Sequence, residues 1–485
     1  MKFYLNGTLQ DCAERDANTT LLQYLRQGAG KTGTKEGCAS GDCGACTVLV
    51  ADCDGAMPRS INSCITPLGA LQGRQVVTVE GLAAGAEPHP VQQAMVACHG
   101  SQCGFCTPGF VMSLAGLYQR CLDTGRDAPG RGEIVETIAG NLCRCTGYRP
   151  IVDAAGSMMG YPKRSILGAL ERQSGAQAPQ EDAAALLAGE HRYYLPRSEE
   201  SLREILRAEP AARLVAGGTD LMLEVTQRFV QFPVLVDISG IASLAGVVAE
   251  GNYIRIGAAT LYRDLLEHPL LDSASLANLL QRLGSQQIRN RGTLGGNIAN
   301  ASPIADMPPV LLAWQAEVAI SDVEGATRWL PLEDFYLDYR QTVLQPGQYL
   351  SAVRMPKSAV AEPHRFYKLS KRYEDDISSV MCALSMTLDG RRVTAVRIAY
   401  GGMAAVPKRA VAAENVLRGA LLDDNTIAMA CAAVSTEFQP LSDVRASAAY
   451  RLAMAAGLLQ RGLLALRDGD TADVFAGQAV EVSHA

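Results

Sequence analysis

The apolar and polar positions of the first 80 or so residues follow a strand-like period. Lys2 to Leu5 predicts a strand, Asn6-Gly7 a hairpin turn, and Thr8 to Cys12 the returning strand. Leu21, Leu22 and Leu25 predict a short helix, and Thr47 to Val50 and Val76 to Val79 two more strands. Beyond residue 90 the period becomes helical. Val91, Ala94, Met95 and Cys98 share one helix face, and Val111, Leu114, Ala115 and Tyr118 another, with Pro108 at a natural first-turn position. Ile134, Ile138 and Leu142 predict a third helix and Ile151 to Met158 a fourth, so this stretch predicts a helical bundle.

Residues 171–190 are polar and rich in small side chains, the composition of a linker. An α/β section follows. Leu214 to Ala216 predicts a strand, Gly217-Gly218 a turn, and Leu221 to Phe229 a helix, with further strands at Val234 to Ile238 and Tyr253 to Ile256. From about residue 363, Ser385 to Leu388 and Ala395 to Tyr400 predict a hairpin-rich sheet, with helices from about 408 to 467. The expected divisions are 1–80, 81–165, a linker at 166–190, then 191–362 and 363–475.

Charge and composition narrow the function classes. The 485 residues are 48% hydrophobic and 19% charged, ordinary for a globular protein. The net charge of −6 argues against a nucleic-acid or anionic-membrane partner. No apolar run reaches the roughly 18 residues of a membrane span, and the first 25 residues carry no signal-peptide core. These features predict a cytoplasmic protein, where disulfides are rare. Of the 14 cysteines, all but Cys382 and Cys431 precede residue 146. Core cysteines would be scattered; metal-ligating thiolates would crowd in this way.

Two sets of four stand out. Cys38, Cys43 and Cys46 share the glycine-rich loop Gly37 to Cys46, and Cys64 follows. C-x4-C-x2-C with a distant fourth cysteine is the plant-ferredoxin spacing for a 2Fe–2S cluster. Small residues in the loop let backbone N–H groups point at the sulfides. A zinc knuckle or a redox pair is the competing reading, although zinc sites usually combine two short cysteine pairs. The second set is Cys103 and Cys106 with Cys143 and Cys145. Alone it would also suit zinc with His99; beside the first set it reads as a second 2Fe–2S centre. Cys12, Cys53, Cys98, Cys121, Cys382 and Cys431 fit no ligand pattern and are expected to be buried and structural.

Gln102-Cys103-Gly104-Phe105-Cys106-Thr107-Pro108-Gly109 and Asn141-Leu142-Cys143-Arg144-Cys145-Thr146-Gly147-Tyr148-Arg149-Pro150 resemble signatures of the xanthine oxidase family of molybdenum hydroxylases. Glu36-Gly37-Cys38 through Cys46-Thr47-Val48 resembles that family's ferredoxin loop. The resemblance implies an α+β multidomain chain. Its parts would be a β-grasp ferredoxin-like domain, a four-helix-bundle 2Fe–2S domain, a vanillyl-alcohol-oxidase-like α/β FAD domain of the PCMH type, and a C-terminal α+β flavoprotein domain. It also implies that the second cluster lies nearer the molybdenum, with Gln102 beside the molybdopterin.

The flavin section supports the same resemblance. Ala216-Gly217-Gly218-Thr219-Asp220-Leu221 follows a strand and opens a helix, where bare glycines let N–H groups approach a pyrophosphate. Asp237 ends a strand about 20 residues on, as in a dinucleotide fold, but G-x-G-x-x-G is absent, which argues against that fold. The stretch Ile288 to Asp306 combines glycines with hydroxyl and amide side chains, a composition suited to a ligand loop. It resembles the family's FAD loop. By that resemblance Ala216, Gly217, Gly218, Thr219, Asp220, Leu221, Thr293, Gly296, Asn297, Asn300, Asp306, Leu350 and Lys368 are expected to bind FAD. Glu374-Asp375-Asp376 resembles the Asp-Asp beside the nicotinamide site; the alternative is an exposed acidic run. Where mammalian relatives place an aromatic over the flavin, this chain has Gln281-Arg282-Leu283-Gly284.

The implied role is electron transfer during oxidation of hypoxanthine or xanthine to urate. Electrons would pass from molybdenum on a partner chain through two 2Fe–2S clusters to FAD and then NAD. No catalytic residue is expected here, because the molybdopterin would sit on a large partner subunit, with two small and two large chains in a heterotetramer. Fusion of the iron–sulfur and flavin parts in this order favours the purine-oxidising branch. A subunit of another heterocycle or aldehyde hydroxylase is the alternative, and a standalone carrier or zinc-stabilised module the rival from another class.

Overall fold

The computed structural model describes residues 1–52, 57–83, 85–166 and 185–469. Lys2–Leu5 and Thr8–Asp11 form the expected hairpin, with Asn6 and Gly7 both at positive φ. Lys2–Leu5 also pairs in parallel with Arg74–Val77, which lies against Thr47–Asp52 and then Arg59–Asn62 in a five-stranded sheet. The strand period divides its two faces. Phe3, Leu5, Val48, Val50 and Val76 pack with Leu21 and Leu25 of the covering helical turn. Leu49, Ala51 and Val77 point the other way, into the helical domain.

That domain consists of Pro90–Ala97, Thr107–Asp123, Arg131–Ile138 and Arg149–Ser157. Proline occupies the first turn of three of them, where its missing N–H costs nothing. Leu142 is not part of the third helix as the spacing predicts. The helix ends at Ile138, and Leu142 is 39% exposed with its N–H given to the Cys43 carbonyl.

Most of the expected linker lies outside the described residues, but Ala185–Ala188 is an edge strand rather than linker. It pairs with Arg192–Tyr194, which runs parallel to Val234–Asp237 and, beyond it, Arg213–Val215. A second, antiparallel sheet is ordered Val247–Glu250, Tyr253–Gly257, Gln348–Pro356, Glu317–Asp322 and Thr327–Pro331. Its apolar face joins Leu276, Leu280, Leu294, Ile298, Val310 and Leu311 in the largest core. The C-terminal sheet, His364–Leu369, Val380–Asp389, Arg392–Gly401 and Lys408–Arg409, is buried on both sides. Met381, Ala383 and Ala399 face the flavin-section core, while Cys382, Leu384 and Ile398 face the closing helices.

The cysteines outside the two sets divide. Cys12, Cys121 and Cys382 are buried as expected, but Cys98 and Cys431 are only half-buried. Cys98 ends a helix with its Sγ 3.7 Å from Ser157 Oγ, and Cys431 Sγ faces the Ala456 carbonyl. Cys53 lies outside the described residues.

Candidate cluster and flavin sites

The loop carrying Cys38 and Cys43 wraps inward because Ala39, Gly41 and Gly44 adopt positive φ. The N–H groups of Ser40 and Cys43 both point at Cys38 Sγ, at 3.4 Å. Cys46 ends the loop and Cys64 sits in the short 3-10 turn Ser63–Ile65; their sulfurs are 3.3 Å apart and buried. Hydrogen bonds from Cys43 and Cys64 push the Cys38 thiol far below the usual thiol range. Donating to Cys38 raises Cys43, and burial adds to it.

The second set is built the same way on different elements. Cys106 precedes Thr107–Asp123, and Cys143 and Cys145 follow Arg131–Ile138. Cys103 and Cys145 sulfurs are 3.7 Å apart at the surface, while Cys143 is buried. Burial opposes ionisation of Cys143, yet donors from Thr146 and Cys145 bring its thiol down to about 7. Burial and contact with Cys143 raise Cys106 to about 12.

Among the described residues no group of three or more His, Cys, Asp or Glu side chains is arranged to hold a single metal ion. The sulfurs lie close to one another within each set, with N–H groups aimed at Cys38 and Cys143. That donor set fits a 2Fe–2S cluster, which takes two thiolates at each iron. Gln102 is exposed beside Cys103. Next to it, Val79, Met95, Val96, His99 and Val111 line an open, mainly apolar groove of about 400 Å³.

The two glycine-rich flavin loops lie against each other. A Cβ on Gly217 would fall 2.0 Å from the Arg291 carbonyl, and Arg291 Nε donates to the Gly217 carbonyl at 2.9 Å. Gly217 is therefore bare because a second loop occupies its space. Gly218, at φ +76°, makes the turn into Leu221–Arg228; Thr219 is half-buried and Asp220 exposed at the helix start. Thr293 accepts from Gly296 N–H and so starts the helix Leu294–Ala299. Asn297 Oδ1 is buried without a protein partner, an acceptor that suits a ligand donor. Asn300 is half-buried. Leu350 is buried in its strand, opposite Ile320.

Asp306 and Lys368 meet each other. Lys368 Nζ donates to Asp306 Oδ2 at 2.7 Å, Ser378 Oγ donates to Oδ1, and the pair is almost wholly buried. Asp237 points inward: it accepts from Tyr193 Oη at 2.6 Å and Ser239 N–H, so it is fully committed to the core. Arg282, in the stretch lacking the aromatic, lies 4.5 Å over the Tyr373 ring and donates to the Lys368 and Tyr373 carbonyls. It thereby fastens the loop that leads to Glu374-Asp375-Asp376. Burial and the Asp42 carboxylate raise Asp375 to about 7. Asp376, by contrast, accepts the N–H groups of Arg372 and Ile377, which outweigh its burial and lower its pKa. The acidic run is therefore half-buried rather than a solvated patch.

The cluster side and the flavin side adjoin. Thr226 and Gln227, on the helix that opens at Gly218, donate to the Ala39 carbonyl at 2.7 and 2.9 Å. The spacing of the cysteines gave no sign of three residues between the two sides. Gln287, Arg289 and Asn290 reach Asn141, Glu136 and Ser60 respectively, and each is buried.

Two sulfur-rich sites abutting a pair of ligand loops define a two-cluster, flavin-binding oxidoreductase. Residues 3–69 match the family described as 2Fe-2S iron-sulfur cluster binding domain, and 78–156 the [2Fe-2S] binding domain. Residues 188–358 match the FAD binding domain in molybdopterin dehydrogenase, and 365–466 the CO dehydrogenase flavoprotein C-terminal domain. The chain is 34% identical to xanthine dehydrogenase of Emericella nidulans over 95% of its own length and 38% of that protein's. Xanthine dehydrogenase of Drosophila subobscura is 30% identical over 99% of the chain and 40% of the relative. The chain thus spans about two fifths of these relatives. A solved chain of carbon monoxide dehydrogenase from Hydrogenophaga pseudoflava superposes at TM-score 0.54 and 31% identity, covering 57% of this chain and 97% of that one. Quinoline 2-oxidoreductase from Pseudomonas putida 86 gives 0.54 and 29%, covering 57% and 96%. The chain belongs to the xanthine oxidase family of molybdenum hydroxylases and corresponds to its iron–sulfur and FAD part.

Proposed function

We propose that this chain is the electron-transfer subunit of a xanthine dehydrogenase, working beside a large molybdopterin-bearing chain. The observation that carries the reading is the order of the sites through the molecule. Exposed Cys103 and Cys145 stand at one surface beside the apolar groove. The buried Cys143 loop touches the Cys43 loop, and the Cys38–Ala39 backbone touches the helix of the first flavin loop. That order suits a relay from a partner seated over the groove to a flavin on the far side. When bound, the clusters carry single electrons and the flavin pairs them for a two-electron acceptor such as NAD.

In this reading Cys38, Cys43, Cys46 and Cys64 ligate one cluster and Cys103, Cys106, Cys143 and Cys145 the other. N–H groups around Cys38 and Cys143 hold these sulfurs in thiolate form. Gly217, Gly218, Thr219, Thr293, Gly296, Asn297 and Asn300 receive FAD, with Ala216, Asp220, Leu221 and Leu350 lining its site. The Asp306–Lys368 pair closes the buried end, and Asp375 and Asp376 stand on the NAD side. The chain would act in the cytoplasm, two copies with two large chains.

The test is to express the chain alone and with its candidate large partner. Alone, loaded with iron and FAD, it should oxidise NADH with an artificial dye and leave xanthine untouched. The pair should reduce NAD with xanthine. Xanthine turnover by the single chain would overturn the reading. The likeness to quinoline 2-oxidoreductase favours a second reading, the same role in another heterocycle hydroxylase. Activity of the pair on quinoline-type heterocycles but not on purines would select it.

A further inference from the structure

The segment 285–291 contains no cysteine and runs into the second flavin loop, yet three parts of the chain meet on it. Ser285 starts the short helix Gln286–Arg289. Gln287 is 1% exposed, and its Nε2 faces three acceptors: Ser113 Oγ at 3.1 Å, Asn141 Oδ1 at 3.2 Å and Thr47 Oγ1 at 3.3 Å. Thr47 follows Cys46, Asn141 precedes Cys143 by two residues, and Ser113 lies on the helix that Cys106 begins. Asn141 Nδ2 then donates to the Gly44 carbonyl at 3.0 Å, between Cys43 and Cys46. Ser113 Oγ donates to Asn141 Oδ1 at 2.7 Å, and Thr47 Oγ1 to the Gly44 carbonyl at 2.6 Å.

Around this node the backbones pack without side chains between them. A Cβ on Gly44 would lie 2.2 Å from the Gly140 carbonyl, one on Gly109 2.2 Å from the Gly44 carbonyl, and one on Gly140 2.4 Å from Gln287 Oε1. The close approach brings the Leu142 N–H to the Cys43 carbonyl at 2.9 Å. Leu142 is peptide-bonded to Cys143. One hydrogen bond and one residue of backbone therefore separate a cysteine of the first set from a cysteine of the second.

We propose that Gln287 is a positioning residue. Through Asn141 it locks the two cysteine loops together and maintains the Cys43 C=O···H–N Leu142 contact, a short bonded route from one cysteine set to the other. The inference rests on the two-cluster reading above. A one-electron transfer between two centres oxidises one as it reduces the other, makes and breaks no bond, and moves no proton. The protein therefore acts on it only by fixing distance and intervening bonds. Gln287 fits this role better than a packing role. Its Oε1 is buried without a partner, so an apolar side chain of similar size would fill the space with no unpaired atom. What the site uses is the amide's donors. Their source is also informative: a residue of the flavin section ties the two cluster domains to each other.

The test compares the full-length, cluster-loaded protein with Gln287→Glu, which keeps size and removes the donors, and with Gln287→Leu. Iron and labile sulfide are assayed first. The dithionite-reduced proteins are then examined by electron paramagnetic resonance for magnetic splitting between the two clusters, and by hydrogen exchange of the peptide containing Leu142. The lock predicts that each cluster keeps its own g values while the splitting narrows or is lost. The Leu142 amide should exchange about tenfold faster, the effect of one weakened buried hydrogen bond. Unchanged splitting and exchange in both loaded variants would overturn the proposal. So would exchange that rises equally throughout the chain, the mark of general destabilisation. If either variant loses iron, Ser113→Ala removes one acceptor of Gln287 together with one donor to Asn141 and should change splitting and exchange in the same direction; no change there also overturns the lock. A wild-type chain with no iron or sulfide would instead defeat the two-cluster reading, while the exchange at Leu142 would still report on the lock.

Discussion

Asn297 holds a buried oxygen that no protein group meets, beside a helix turn fixed by Thr293. A polar atom left in this state costs stability unless a ligand donor reaches it, so Asn297→Leu should weaken FAD binding by about 1–3 kcal/mol. Titrating flavin into the apoprotein, followed by fluorescence quenching, checks this; unchanged affinity would remove Asn297 from the flavin site. Asp375 makes a prediction in pH. Its carboxyl is raised to about 7 by burial and by Asp42, whereas an unfolded aspartate ionises at about 4. Between those values the folded chain holds a proton that the unfolded chain has released. Stability therefore falls as pH rises through the window and levels off above it. Asp375→Asn removes that loss, so its advantage in melting temperature over the wild type should be larger at pH 8 than at pH 5. An equal difference at both would contradict the assignment. The two neighbouring aspartates could not be told apart in the sequence. Their difference arises because burial and Asp42 raise Asp375, whereas the Arg372 and Ile377 amides donate to Asp376.

At the scale of elements, the two glycine-rich loops act as one unit because Gly217 leaves room for the Arg291 carbonyl. Gly217→Ala puts a methyl where backbone already lies. It should destabilise the flavin section by roughly 1–3 kcal/mol or more and release flavin, with the cysteine sites retained. Thermal unfolding followed by flavin release would show it, and a variant with wild-type flavin retention would refute the interlock. The sequence carried both loops clearly but not their contact. Gly217 reads as a pyrophosphate glycine from its neighbours alone, and only the fold brings residue 291 against it. The helices and strands themselves were legible where their periods were long. Tyr118 and Leu114 shared a face as the spacing required, while Leu142, at the frayed end of an apparent helix, left it to bond Cys43. The cysteine sets were legible because thiolate spacing is local. Gln287, Asn141 and Ser113 were not, because a buried amide between three domains leaves no periodic or compositional mark.

Across the whole molecule, the account makes the two sulfur sites separable in composition and joined in space. Cys43→Ser and Cys143→Ser should each remove most of one cluster and spare most of the other, since their ligand sets sit on different elements. Iron analysis with electron paramagnetic resonance checks this, and loss of both clusters from either variant would make the sites a single cooperative unit. The proposed relay, from exposed Cys103 to the flavin loops, uses both clusters and the flavin. The most direct measurement is an anaerobic reductive titration of the purified chain, followed by absorbance and electron paramagnetic resonance. Two 2Fe–2S clusters taking one electron each and a flavin taking two predict uptake of about four electrons per chain, with two distinct cluster signals. Uptake of about two electrons with no cluster signal, from a protein carrying zinc in place of iron and sulfide, would contradict the account.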